Sequence, residues 1–323
     1  MNIFTARNMK QCAKRALQNG NQDYRKTVLF HEAVMLGGLL FVQLLSLLTN
    51  SMVGDTGGLS GIGTRSMIGT IQSAVSLTVT LLMPFWSIGL VYTSTQVARG
   101  EAVNRPMLLE GFRRFGLVLR YYLMMILIGL AILMVTIYVT MMLAEFIPVS
   151  ESLVNSVISV DLNTIQDPIQ LMELLPWDDL LVVVLSIAAI FTVTFYGLYL
   201  HISYRLFAAR YLVMDAECPG AAAAMSASNR LTKGYKWKLA KLDLSFWWYY
   251  LLQFAASLLV YGNVILTAVG IHLPVDPAIA DMLFYLLYIA ASLAIAWFAG
   301  DYIHTTQACA YQQILDPSGL PEE

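Results

Sequence analysis

Five side chains of the types that ligate metals or relay protons fall at similar depths in the hydropathy pattern: His31, Glu32, His201, Asp301 and His304. Asp301 and His304 are spaced i, i+3, so they share one face of a helix. Imidazoles beside carboxylates suit a divalent cation, or a proton path in apolar surroundings. The competing reading is that polar groups one turn from a membrane edge reach back to the headgroups. Nothing in the sequence makes the helices that carry them converge. The expectation is an edge role, with no resident metal and no cofactor. No acid or base lies near the centre of any long apolar run, which counts against ion-coupled transport.

Other chemistry is sparse. HExxH, Walker A, CxxC and the dinucleotide-binding glycine fingerprint are all absent. Gly58-Leu59-Ser60-Gly61 has the spacing of an intramembrane serine nucleophile, and His272 is a possible base. The neighbouring Gly54, Gly57 and Gly63 make a flexible loop the simpler reading. The chain therefore leans away from being an enzyme.

The elements that must position these groups follow from composition. Of 323 residues, 58% are hydrophobic and 12% charged, and the mean hydropathy is +0.65. Soluble domains carry about 25% charged residues. The apolar residues lie in uncharged blocks at 33–54, 66–98, 121–144, 180–204, 244–275 and 282–300. Blocks of about 20 residues cross ~30 Å of hydrocarbon as helices, because the backbone there must bond to itself. The predicted fold is all-α, a single integral membrane domain of six spans near 28–49, 67–92, 119–144, 180–202, 244–268 and 280–300. An outer acidic loop covers 145–179 and a basic cytoplasmic loop 203–243. The first 27 residues are polar and basic, so the first span is expected to act as its own uncleaved insertion signal.

All but Arg65 of the 19 lysines and arginines fall before span 1, after span 2 and after span 4. The positive-inside rule then places both termini in the cytoplasm. Cys12, Cys218 and Cys309 face the reducing side, so no disulfide is expected. Each basic segment has helical signals. Met9, Cys12, Ala13, Ala16 and Leu17 form an apolar stripe with Lys10, Lys14 and Arg15 outside it, the pattern of a helix lying in the headgroup layer. Pro106 precedes Leu108, Phe112 and Phe115, and Pro219 precedes a run of alanines closed by Gly234. Together with similar span ends, Ser94-Thr95-Gln96 and Thr305-Thr306-Gln307, this gives a possible threefold internal repeat.

The stretch from Phe207-Ala208-Ala209-Arg210-Tyr211 through Asp215, Pro219, Ser228, Leu231 and Lys233-Gly234-Tyr235-Lys236-Trp237-Lys238 to Leu242-Asp243-Leu244-Ser245-Phe246-Trp247 resembles the domain-of-unknown-function 975 family. The resemblance is specific over residues 203–248, and the basic N-terminal helix is similar in layout. Asp301-Tyr302 stands where that family commonly has Pro-Tyr, and Tyr311 where it tends to have an aromatic. The resemblance implies a multi-pass protein of the bacterial cytoplasmic membrane, and brings neither an activity nor catalytic residues. Its structural motif here is Arg210, Asp215, Pro219, Gly234, Asp243 and Ser245. Asp243 is expected to pair with a nearby base or cap a helix, and Ser245 to bond between helices.

Lys233, Lys236, Trp237, Lys238 and Lys241 have the composition of an inner-leaflet or partner contact. The leading expectation is a non-enzymatic scaffold or accessory factor. Its partners would be anionic inner-leaflet lipids and, in addition, a membrane protein, with no nucleic acid. The alternatives are a small-solute transporter, favoured by Pro84 and Gly129 within spans, and a membrane enzyme built on the polar groups at the inner helix ends.

Overall fold

Apolar runs that exclude water force the backbone to satisfy its own hydrogen bonds, and in this chain they do so as helices. The structure is a computed structural model that describes residues 4–18, 22–53, 59–148, 150–151, 177–215, 218–271 and 273–316. Helix α1 covers Ala6–Gln18, α2 Gln22–Val53 and α3 Leu59–Ala98. A 3-10 turn at Arg105–Leu109 and the short α4, Glu110–Arg113, lead into α5, Phe115–Ala144. Next come α6, Trp177–Arg205, α7, Ala209–Leu212, α8, Ala221–Leu231, and α9, Lys236–Leu244. Helices α10, Trp247–Leu258, and α11, Gly262–Ala268, flank a 3-10 turn at Leu259–Tyr261. Helix α12, Pro277–Ile295, continues through a π-helical turn at Ala296–Gly300 into α13, Asp301–Leu315. No strand occurs among the described residues.

Six helical segments among the described residues are long and apolar enough to cross a membrane: Asp23–Leu48, Gly69–Ala98, Phe115–Ala144, Asp178–Arg205, Trp247–Ala268 and Pro277–Leu315. The all-α, six-span class read from the sequence is the fold observed. Large side chains such as Leu127, Val193 and Phe298 point outward from these segments and are mostly exposed, a face suited to lipid tails. The chain divides into two compact units. One holds residues 1–122 and 205–323, the other 123–204. In the second, Phe195 stacks on both Phe191 and Tyr199 along α6.

The last segment is 39 residues long. At 1.5 Å per residue it reaches about 58 Å, well beyond the hydrocarbon. Its final part, α13, is a core helix of the first unit, with Ile303, Thr305, Thr306, Ala308, Cys309, Ala310 and Tyr311 buried. Helices α1 and α3 pack on it, forming what is called here the basic end. A second cluster nearby joins Tyr24, Val28, Leu90, Val97, Val103 and Leu108.

This packing changes the role of α1. Its stripe was expected in the headgroup layer, but Met9 and Ala13 are fully buried and the helix lies against α13. Because α13 outruns the bilayer, it offers α1 a protein surface. The glycine-rich stretch around Ser60 also differs from its loop expectation, since the backbone is helical from Leu59 onward. Residues 54–58, His272 and positions 149 and 152–176 of the acidic segment lie outside the described residues.

The chain after α3 folds straight back onto it. A Cβ on Gly89 would lie 1.9 Å from the Leu108 carbonyl oxygen, and one on Gly111 would lie 2.0 Å from that of Phe85. Phe112 and Phe115 both stack on Phe85 from this return segment. Overpacking of this kind typically costs about 1–3 kcal/mol. We therefore expect Gly89→Ala to lower the thermal midpoint measured in mild detergent. The control Gly129→Ala, where nothing lies within 4 Å, should leave the midpoint unchanged or raise it slightly. Equal midpoints for the two variants would contradict the close return.

Candidate functional site

A guanidinium cannot be neutralised in a protein, so one brought into the interior has to be surrounded by acceptors and π faces. Arg210 on α7 is such a group. Its Nη2 donates to Gln307 Oε1 at 3.2 Å and to the Tyr211 hydroxyl at 3.3 Å. Its guanidinium carbon lies 5.0 Å from the Phe207 ring centre and 4.9 Å from that of Tyr211, within cation–π range. Burial opposes its charge, but Tyr211, Tyr121 and Asp243 outweigh this and lift its pKa above the ordinary value. Burial also raises the Tyr211 phenol, against the pull of Arg210, which keeps that hydroxyl protonated.

Gln307 passes the contact onward, its Nε2 donating to Asp243 Oδ1 at 3.5 Å. One guanidinium and one amide thus join α7, α13 and α9. A second set of contacts runs beside it. Tyr211 stacks on Tyr311 at 4.6 Å, and the Tyr311 hydroxyl donates to Asp215 Oδ2 at 3.3 Å. Asp215 also faces Arg99 at 3.8 Å, and its main-chain oxygen accepts from Arg114 Nη1 at 2.6 Å. Tyr92, Thr95 and Gln96 of α3 and Arg99 just after it meet Tyr211, Met214, Asp215 and Tyr311 around a shallow polar cleft. Gln96 is buried there, and its Oε1 has no hydrogen-bond partner.

The residue pattern predicts part of this arrangement and omits part. Residues 12–318 match the family model described as protein of unknown function (DUF975). The chain belongs to the DUF975 family. No curated protein and no solved structure matches it. In this DUF975 chain, Arg210, Asp215 and Asp243 of the quoted motif come together around α13. Pro219 precedes α8, and Gly234 takes a left-handed φ of +87° in the turn before α9, a conformation glycine adopts without steric cost. Ser245 departs from its expected role. Its hydroxyl bonds back to Leu242 within its own turn, and its carbonyl accepts the inter-helix bond from Lys10 Nζ at 3.1 Å. Burial beside Phe246 lowers the pKa of that lysine below its ordinary value.

Of the five metal-type residues, His31, Glu32 and His304 are neighbours. His31 Nδ1 lies 3.4 Å from Glu32 Oε1, and His304 has both as charged neighbours along with Arg210. Asp301 is taken by Arg25, 3.0 Å away. His201 lies exposed on α6, in the other compact unit. No three His, Cys, Asp or Glu side chains among the described residues are grouped so as to hold a metal. Gln96, Arg99 and Gln307 were not singled out as site residues. Their signal was present in the matching Ser94-Thr95-Gln96 and Thr305-Thr306-Gln307 span ends, whose glutamines both reach the basic end.

Removing the glutamine leaves a half-buried charge with fewer acceptors, a change that costs about 1–3 kcal/mol. Gln307→Leu should lower the thermal midpoint, and Arg210→Ala should lower it further. The double variant should be less destabilised than the sum of the two, and strict additivity in thermal unfolding would show that the contact carries no coupling.

Proposed function

We propose that this chain is a non-enzymatic scaffold or accessory protein of the bacterial cytoplasmic membrane. Its basic end would face the cytoplasm and grip anionic headgroups of the inner leaflet. A membrane-protein partner would be gathered on the same face. The observation that carries this reading is the division of labour between two kinds of cation. Arg25, Arg99, Arg114, Arg205 and Arg210 each bond to a protein acceptor. The lysines around α9 face outward instead.

Helix α9 has the construction of an interfacial anchor. Leu239 and Leu242 are buried against the bundle. Lys238 and Lys241 are exposed on its outer side, with Lys236 half-buried and Lys233 exposed in the turn before it. Trp237 is 72% exposed, Leu244 70% and Trp247 61%. Lys241 lies 5.7 Å from the Trp237 ring centre and Lys238 5.1 Å from that of Tyr235. Indoles at headgroup depth with ammonium groups beside them fit a lipid–phosphate surface better than a nucleic acid or a soluble substrate. The lysine count that orients the chain supports the same side.

A second reading, passage of a small solute, is favoured by one observation. Two spans depart from α-helical geometry, at the 3-10 turn Leu259–Tyr261 and the π-helical turn Ala296–Gly300. Interrupted helices expose backbone groups that transporters use for binding. A solute flux in proteoliposomes that vanishes on straightening these turns would favour that reading.

Each lysine near an anionic surface contributes about 1 kcal/mol. Replacing Lys233, Lys236, Lys238 and Lys241 by Glu should therefore abolish enrichment of phosphatidylglycerol over phosphatidylcholine around the purified protein, a loss of roughly tenfold or more. Native mass spectrometry of retained lipid provides the readout, with thermal unfolding as the folding control. A folded variant with an unchanged lipid ratio contradicts the reading.

A further inference from the structure

Cys12 is a half-buried residue on α1, and Cys309 a fully buried one on α13. Both are free thiols, and each has the other as its hydrogen-bond partner. The contact lies within the α1–α13 packing surface, where Met9, Ala13, Thr305 and Ala308 are fully buried. Sequence separation between the two is nearly the whole chain, so this is the longest loop the cysteines could close. Cys218 is elsewhere, its Sγ turned to the Gly220 carbonyl at 3.4 Å.

We propose that Cys12 and Cys309 are a thiol–disulfide switch that fastens α1 to the end of the last helix. The co-reactant is a small disulfide such as oxidised glutathione. The Cys12 thiolate attacks one sulfur of that disulfide, giving a mixed disulfide and releasing one small thiol. Cys309, deprotonated as it reacts, then attacks the Cys12 sulfur. The Cys12–Cys309 bond forms, the mixed bond breaks, and a second small thiol leaves. Two protein thiols have lost two electrons and two protons, and the co-reactant has gained them.

The assignment of roles follows from access. Cys309 is enclosed and Cys12 is half-exposed on the helix packed against it, so a reagent has to enter through Cys12. The Cys309 hydrogen bond, with Arg15 nearby, holds the Cys12 thiol below the ordinary thiol range and favours its thiolate. A reducing compartment keeps such a pair open until oxidant rises, the behaviour of sensing rather than structural disulfides. Closure would pin α1, whose Lys10 holds the Ser245 carbonyl at the end of α9. The lysine-bearing helix would then be held to α13 by a covalent link one step removed.

The experiment is peptide mapping by mass spectrometry of the full chain in mild detergent, before and after oxidised glutathione. The expected product is a Cys12–Cys309 cross-linked peptide in at least half the molecules, reversed by dithiothreitol, with Cys218 outside the cross-link. Cys12→Ser should leave Cys309 unmodified by the same reagent. Because that comparison and the wild-type map need no change at the enclosed position, folding of a Cys309 variant does not enter. A stable glutathione adduct at Cys12 with Cys309 still free would overturn the proposal. So would a cross-link to Cys218, or a Cys12 that never reacts.

Discussion

The charge of Arg210 is the constraint around which the basic end is arranged. A guanidinium keeps its proton at any physiological pH, so its neighbourhood must supply acceptors at fixed positions. Those acceptors come from three parts of the chain: Tyr211 beside it, Gln307 on α13 and, through Gln307, Asp243 on α9. The contact orders elements separated by 64 to 97 residues in sequence. Without it, α7 and α9 would be short helices of 4 and 9 residues, below the length at which isolated helices are stable.

A second consequence concerns the length of the final helix. Lipid asks for about 20 apolar residues, and the final segment continues well past that number. The surplus, α13, is where a water-soluble style of packing replaces lipid contact, with fully buried Thr305, Thr306 and Ala308. Helix α1 is drawn onto it, and Tyr302 meets Phe246 edge-on at 5.9 Å from the other side. The bundle thus has two solvents. Side chains facing outward along the spans suit hydrocarbon, while the basic end carries an ordered protein core.

The spans were legible because they depend on local composition: an uncharged run of sufficient length becomes a helix whatever surrounds it. The stripe on α1 was legible as amphipathic for the same reason, but not its partner, since Met9 and Ala13 pack equally well against lipid or protein. Convergence was the harder problem. His31, Glu32 and His304 come together while Asp301 is held by Arg25, and hydropathy depth alone could not separate those outcomes. The count of positive charges likewise treated Arg and Lys alike. The structure gives Arg25, Arg99, Arg114, Arg205 and Arg210 protein acceptors and leaves Lys233, Lys238 and Lys241 exposed, as their different hydration favours. Gln96 and Gln307 carried no charge or catalytic signature, so only the likeness of their flanking residues marked them.

The central claim is that the Arg210–Gln307–Asp243 contact holds the lysine- and tryptophan-bearing helix in place at the basic end. Hydrogen–deuterium exchange on the Gln307→Leu protein in lipid nanodiscs tests it most directly. Amides of residues 236–247 should exchange at least tenfold faster than in the unmodified protein, while those of α5 and α6 within 123–144 and 178–204 keep their protection. Unchanged exchange at 236–247, in a protein that remains folded, would contradict it.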